Sequence, residues 1–231
     1  MKVEILPDGE AVAARAAKWI AAAAREAVAV RGRFALAVSG GHTPWLMLRA
    51  LAGESVPWAS LHLFQVDERV APAGDPDRNL THIEESLLGR VDLPPGNLHA
   101  MPVEDADLAA AAERYARELE GVAGRPAVLD VVHLGLGPDG HTASLVPRDP
   151  VLDVTAADVA VTGAYNGRTR MTLTYPVLDR ARAVLWVVTG AEKAPVLPRL
   201  VAGDRAIPGG RVRADRALLI ADRVAAVGLT T

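Results

Sequence analysis

Asp130-Val-Val-His-Leu-Gly-Leu-Gly-Pro-Asp-Gly-His-Thr-Ala-Ser-Leu-Val-Pro147 couples a buried apolar run to a glycine-rich loop that carries Asp139 and His141. Residues 128–134 are short, apolar and β-branched, as in a central strand of a parallel sheet covered on both faces. Gly135, Gly137 and Gly140 let the backbone turn sharply and expose its N–H groups. Residues 142–145 read as a short helical turn, stopped at or before Pro147. His141 is then expected at the C-terminal end of a strand, where ligands bind in open α/β sheets. It is also expected near a helix N-terminus, which disfavours an imidazolium and leaves the ring able to accept a proton near pH 7.

Gly135-x-Gly137-x-x-Gly140 also matches the dinucleotide-binding fingerprint, with Asp158 at about the right distance beyond it. That fingerprint needs a long helix opening from the loop, and Pro147 and Pro150 deny it one. The plain alternative is a tight strand-to-helix turn with a surface histidine.

Moving outward, residues 33–38 form a strand that runs into Ser39-Gly-Gly-His-Thr-Pro44 and then a helix over 45–51. Thr43 suits the N-cap and Pro44 the first helical position. Gly40 and Gly41 admit a ligand close to the backbone. Free amides, a hydroxyl and the positive end of a helix make an anion site, although the Gly-Lys-Ser/Thr ending of a Walker loop is missing. Residues 61–66 are the next strand, ending in Asp67-Glu68-Arg69. Charges at the end of a buried strand need solvent or each other, so a surface ion cluster is the bland reading. Asn79 reads as the cap of a helix over 81–88.

A helix over 10–30 presents Val12, Ala16, Trp19, Ile20 and Ala23 on one face. A second, over 107–120, turns Leu108, Ala111, Ala112, Tyr115 and Leu119 inward. Strands follow at 159–161, 170–174, 183–188 and 216–220, with shorter pieces at 98–101 and a helix over 194–201. Lysine occurs only at Lys2, Lys18 and Lys193. Lys193, on a loop after a buried strand, is placed to act as a point charge for phosphate. Arg170, entering a strand, offers a fork of donors. A solvated surface charge is the alternative for each.

Strands and helices alternate throughout, which implies one α/β domain over 1–231, doubly wound with a mostly parallel sheet and helices on both faces. The chain has 231 residues, 50% hydrophobic, and a net charge of −3 with interspersed signs. That length suits a substantial core, and the charge pattern argues against nucleic acid. No apolar run is long enough to span a membrane. The alanine-rich start is broken by Arg15, Lys18, Arg25 and Glu26, so it reads as a helix and not as a signal peptide. With no cysteine, the expectation is a cytoplasmic protein free of thiol chemistry. The residues alone thus point to a small anionic ligand, a phosphate ester, beside a histidine base: a hydrolase or an isomerase.

Ser39-Gly-Gly-His-Thr-Pro44, Asp67-Glu-Arg69, Gly135-Leu-Gly-Pro-Asp-Gly-His-Thr-Ala-Ser-Leu-Val-Pro147, Arg170-Met-Thr-Leu-Thr174 and Gly190-Ala-Glu-Lys193 occur in this order. The set resembles the 6-phosphogluconolactonases. The resemblance covers nearly the whole chain and is most specific in the Asp-Gly-His-Thr-Ala-Ser block. It implies a Rossmann-like fold similar to glucosamine-6-phosphate deaminases and ribose-5-phosphate isomerases. It also implies hydrolysis of 6-phosphogluconolactone in the pentose phosphate pathway without metal or organic cofactor, by a monomer or small homo-oligomer. On this resemblance His141 deprotonates the attacking water and Asp139 orients it. Ser39, Gly40, Gly41, His42, Thr43, Arg170 and Lys193 surround the phosphate. Arg69, with Asp67 close by, holds anionic or developing oxyanion groups; Asp67 and Glu68 stand as other candidate bases. The chain departs from the family pattern at His42, where a small hydroxyl residue is expected, and in residues 163–169, which lack paired prolines.

Two rivals share these motifs. A glucosamine-6-phosphate deaminase needs a glutamate where the register here puts Val146, and an apolar side chain cannot do acid–base work. A non-catalytic sugar-phosphate sensor keeps the glycine loop but tends to lose the base, whereas His141 is retained.

Overall fold

The computed structural model describes residues 1–229. Its main sheet has seven strands, all pairs parallel, in the order β1 (Lys2–Leu6), β10 (Ala217–Asp222), β9 (Ala183–Val188), β6 (Val131–Leu134), β2 (Phe34–Val38), β3 (Leu61–Gln65), β5 (Leu98–His99). Parallel pairing puts every C-terminal strand end on one edge, and β6 lies at the centre. Neighbouring residues on each strand serve opposite faces. Leu36, Val131, Leu185 and Val187 join one core; Ala37, Val132, Trp186 and Val188 join the other. This two-sided burial is why the strands read as continuous apolar runs instead of alternating ones.

Helices α1 (Gly9–Arg31), α2 (His42–Leu51) and α3 (Asn79–Ser86) contribute to the first core; α4 (Leu108–Ala123), α5 (Tyr175–Arg180) and α6 (Leu197–Val201) contribute to the second. The long helices start and stop where their sequences say. Asp8 accepts from the N–H of Ala11 at 2.9 Å, and Gly32 closes α1 at φ 74. Asp107 accepts from Ala110 at 3.0 Å and opens α4. Side-chain oxygens at these N-caps satisfy donors that the helix itself leaves free.

Four local expectations give way. Residues 142–145 form no helix: Ala143 is left-handed at φ 49, and Leu145 N–H bonds Thr142 O at 2.9 Å in a tight turn. His141 therefore owes nothing to a helix dipole. Thr43 does not cap α2. Gly41 does, at φ 117, and Thr43 lies in the first turn with its hydroxyl 2.5 Å from that of Thr189. Asn79 is the first residue of α3, not its cap, and its side chain points to Asp67 and Arg69. Asp67-Glu68-Arg69 is no surface cluster. It forms β4 (Asp67–Arg69), the edge of a second, antiparallel sheet with β8 (Arg170–Leu173) and β7 (Val159–Val161). Register in that sheet sets Arg69 opposite Arg170 and Asp67 opposite Thr172.

Candidate active site

The loops after β2, β6 and β9, together with β4 and β8, enclose a cleft of about 290 Å³ at the C-terminal edge of the main sheet. Ser39, Gly40, Gly41, His42, Thr43, Asp67, Arg69, His141, Arg170 and Lys193 all line it. Asp139 does not, and reaches it through His141. A switch point between parallel strands is where such a cleft is expected.

The loop after β6 is built around the imidazole. Gly137 N–H bonds His141 O at 2.8 Å, and Asp139 Oδ1 accepts from His141 N–H at 3.1 Å. The same oxygen lies 2.5 Å from His141 Nδ1. A Cβ on Gly137 would run into the ring, so that glycine is the ring's seat and not a contact for a dinucleotide. With Asp139 as acceptor, the proton on the neutral ring is assigned to Nδ1. Nε2 has no hydrogen-bond partner among the described residues, on a ring that lines the cleft. Burial alone would raise the Asp139 carboxyl. The hydrogen bonds and charge of His141, with the Tyr165 hydroxyl, outweigh it and hold the group well below the ordinary carboxylate range.

The rest of the lining carries basic groups. Arg170 is buried, has no carboxylate within ion-pair distance among the described residues, and has Nε without a hydrogen-bond partner. Burial pushes its guanidinium down, nearby Asp67 opposes that, and Arg69 adds to it. A buried guanidinium in this condition favours an incoming anion. Arg69 is fixed by donating from Nη1 to Asp77 O and Asn79 Oδ1, each at 2.8 Å. Lys193 Nζ lies 3.5 Å from Glu192 Oε1. Gly40 packs so tightly on the Asn79 amide that a Cβ there would overlap it. Asp67 is buried, with Oδ2 taking the Ser144 hydroxyl at 2.6 Å. Among the described residues no group of three or more His, Asp or Glu stands ready to hold a metal ion.

A family model described as glucosamine-6-phosphate isomerases/6-phosphogluconolactonase matches residues 7–220. The chain belongs to this isomerase/lactonase family. A 6-phosphogluconolactonase of Nostoc is 39% identical over 87% of this chain and 85% of its own length. A crystal structure of 6-phosphogluconolactonase from Thermotoga maritima superposes with a TM-score of 0.84 at 27% identity, covering 96% of this chain and 98% of that one. A monomeric glucosamine-6-phosphate deaminase superposes with a TM-score of 0.86 at 18% identity, over 99% of this chain and 100% of that one, which shows a common fold.

The isomerase/lactonase fold also brings in Thr189 and Tyr165, which the sequence alone did not assign, and gives Asn79 and Glu68 places other than the expected ones. Asn79 and Thr189 line the cleft. Tyr165 donates to Asp139 Oδ2 at 3.1 Å. Glu68 is fully buried and accepts from Gln65 Nε2 and from the N–H groups of Arg69, Asn79 and Leu80, each at 2.8 Å, with Arg78 Nε at 3.2 Å. A carboxylate so saturated, and absent from the cleft, organises β4 and α3 and is removed as a candidate base. Only for Tyr165 did a sequence signal exist: Asn166-Gly167 is the two-residue hairpin signature, which places its flanking residues side by side.

Proposed function

We propose that the chain hydrolyses 6-phosphogluconolactone to 6-phosphogluconate, with His141 as general base. The observation that carries this reading is the His141–Asp139 pair, with Nε2 unpartnered among the described residues, on a ring that lines one cleft with Arg69, Arg170 and Lys193. Nε2 takes a proton from water as the water oxygen bonds to the lactone carbonyl carbon. Charge on the tetrahedral oxygen is met by Arg69. Collapse breaks the bond to the ring oxygen, which receives the proton back from the imidazolium and leaves as a hydroxyl. Arg170, Lys193, Thr43 and the Ser39–Gly41 amides hold the phosphate, remote from the reacting carbon, where cations and free N–H groups suit a dianion.

A glucosamine-6-phosphate deaminase is the nearest alternative on this fold. Against it, Val146 is buried, apolar and outside the cleft. One assay separates the readings: freshly made 6-phosphogluconolactone with a no-enzyme blank, beside glucosamine 6-phosphate. Rapid loss of the lactone alone is the expected result. Consumption of glucosamine 6-phosphate alone overturns it, and binding of both without turnover makes the chain a sensor.

A further inference from the structure

Between β7 and β8 the chain makes a tight hairpin beside the His141–Asp139 pair. Tyr165 and Arg168 exchange backbone hydrogen bonds at 3.0 and 3.3 Å, and Asn166 and Gly167 take φ 52 and 77. Two left-handed residues in succession are what a two-residue turn of this hand requires. The tip is tethered from the far side, where Arg168 Nη2 reaches Asp77 Oδ2 at 2.9 Å and Asp75 Oδ2 at 3.3 Å. Asp77 in turn accepts from Arg69 through its carbonyl. The hairpin is thus clamped to the segment that fixes Arg69.

We infer that Tyr165 is a positioning residue for the His141–Asp139 pair. Its hydroxyl donates to Asp139 Oδ2 at 3.1 Å while Oδ1 holds the imidazole, so both carboxylate oxygens are taken and the group cannot rotate. Its ring meets the His141 ring edge-on at 5.5 Å and 65°. The Arg170 guanidinium carbon lies 5.1 Å from the ring centre. One side chain therefore touches the general base's partner, the base and the buried arginine of the anion wall. The charged groups facing it are Asp139 from the loop after β6 and Arg170 from β8, beside the His141 ring. Burial and the Asp139 carboxylate hold the phenol above its ordinary value, and it stays a donor throughout the working pH range.

This inference rests on the lactonase reading, and its test keeps the two apart. Steady-state hydrolysis of 6-phosphogluconolactone is measured against pH for the full chain, Y165F, D139N, the Y165F/D139N double variant and H141Q. Loss of the outer partner that orients a metal-ligating histidine typically costs about 10–100-fold in affinity or activity; by analogy Y165F, which keeps the ring, is expected near the low end in kcat, with KM unchanged. Without the hydroxyl, the full charge of Asp139 faces the imidazole, so the acid limb of kcat/KM moves to higher pH. A side chain with a merely structural role would not move that limb. In the D139N background Y165F is expected to cost little more, because a shared partner makes the two effects non-additive. Wild-type kcat and pH profile in Y165F beside a crippled H141Q overturn the inference alone, as do fully additive effects in the double variant. Wild-type kcat in H141Q overturns the base reading and the inference together.

Discussion

The Ser144 hydroxyl donates to Asp67 Oδ2 across 2.6 Å, and both residues are buried. This bond joins the loop after β6 to the second sheet, and the N–H of Ser144 reinforces it by bonding Thr172 Oγ1 at 3.1 Å. It holds the histidine loop in register with the strand that bears Arg69.

Ser144→Ala leaves Asp67 Oδ2 buried without its donor. A buried acceptor stripped of its partner costs about 1–3 kcal/mol. For a chain of this size each kcal/mol lowers Tm by about 2–4 °C. Thermal unfolding of the variant should therefore begin several degrees early. An unchanged Tm would mean that the bond contributes nothing net to holding the loop.

Lys193→Ala should weaken substrate binding more than turnover, because the proposed phosphate contact is remote from the reacting carbon. One charge-assisted hydrogen bond is worth about 1.5–3 kcal/mol, or about a 10- to 150-fold rise in KM when uniform binding is lost. Unphosphorylated gluconolactone should be almost indifferent to the change. Equal losses on both lactones would place Lys193 away from the phosphate.

How much of this was legible in the sequence varies with the range of the interaction. β6 and its loop were readable because an apolar run followed by glycines is a local signal. So were α1 and α4, whose caps and apolar faces are written within their own spans. The helix expected over 142–145 was not formed because Ser144 is claimed by Thr172 and Asp67, partners far away in sequence. The second sheet escaped notice for the same reason: Asp67-Glu68-Arg69 has no strand pattern and becomes one only by pairing with β8. β1 was missed because it is a short edge strand with Val3 and Ile5 partly exposed. Ten of the eleven proposed site residues line one cleft because the motifs sit at the ends of parallel strands, which the fold gathers on one edge.

His133 predicts an acid sensitivity unrelated to catalysis. It is fully buried on β6, Nδ1 faces the Ser39 N–H at 3.3 Å, and Nε2 has no partner among the described residues. Burial pushes its pKa down to about 3 from an ordinary 6.5. Between those values the unfolded chain holds a proton that the folded chain refuses, so stability falls as pH falls. One extra proton in the unfolded state corresponds to about 1.4 kcal/mol per pH unit. His133→Asn offers the Ser39 amide an acceptor without the titration. Denaturant unfolding from pH 6.5 to 5, above most carboxylate titration, should show a shallower slope in the variant by about one proton. Parallel slopes would show that His133 is not the group responsible.

The proposed base is the sharpest test. His141→Gln keeps the approximate size and a polar tip but removes the basic nitrogen that Asp139 leaves free. General-base catalysis is typically worth about 10²–10⁴-fold, so kcat should fall by about that factor. KM should change little, since Arg170 and Lys193 are untouched. A general base works only when unprotonated, so the wild-type kcat/KM is expected to show an acid limb. That limb should flatten in the variant once spontaneous lactone hydrolysis is subtracted. Near wild-type kcat would remove His141 from the mechanism. Asp67 and Glu192 would then be the carboxylates lining the cleft left to test as base, since Glu68 is buried away from it with its oxygens already occupied.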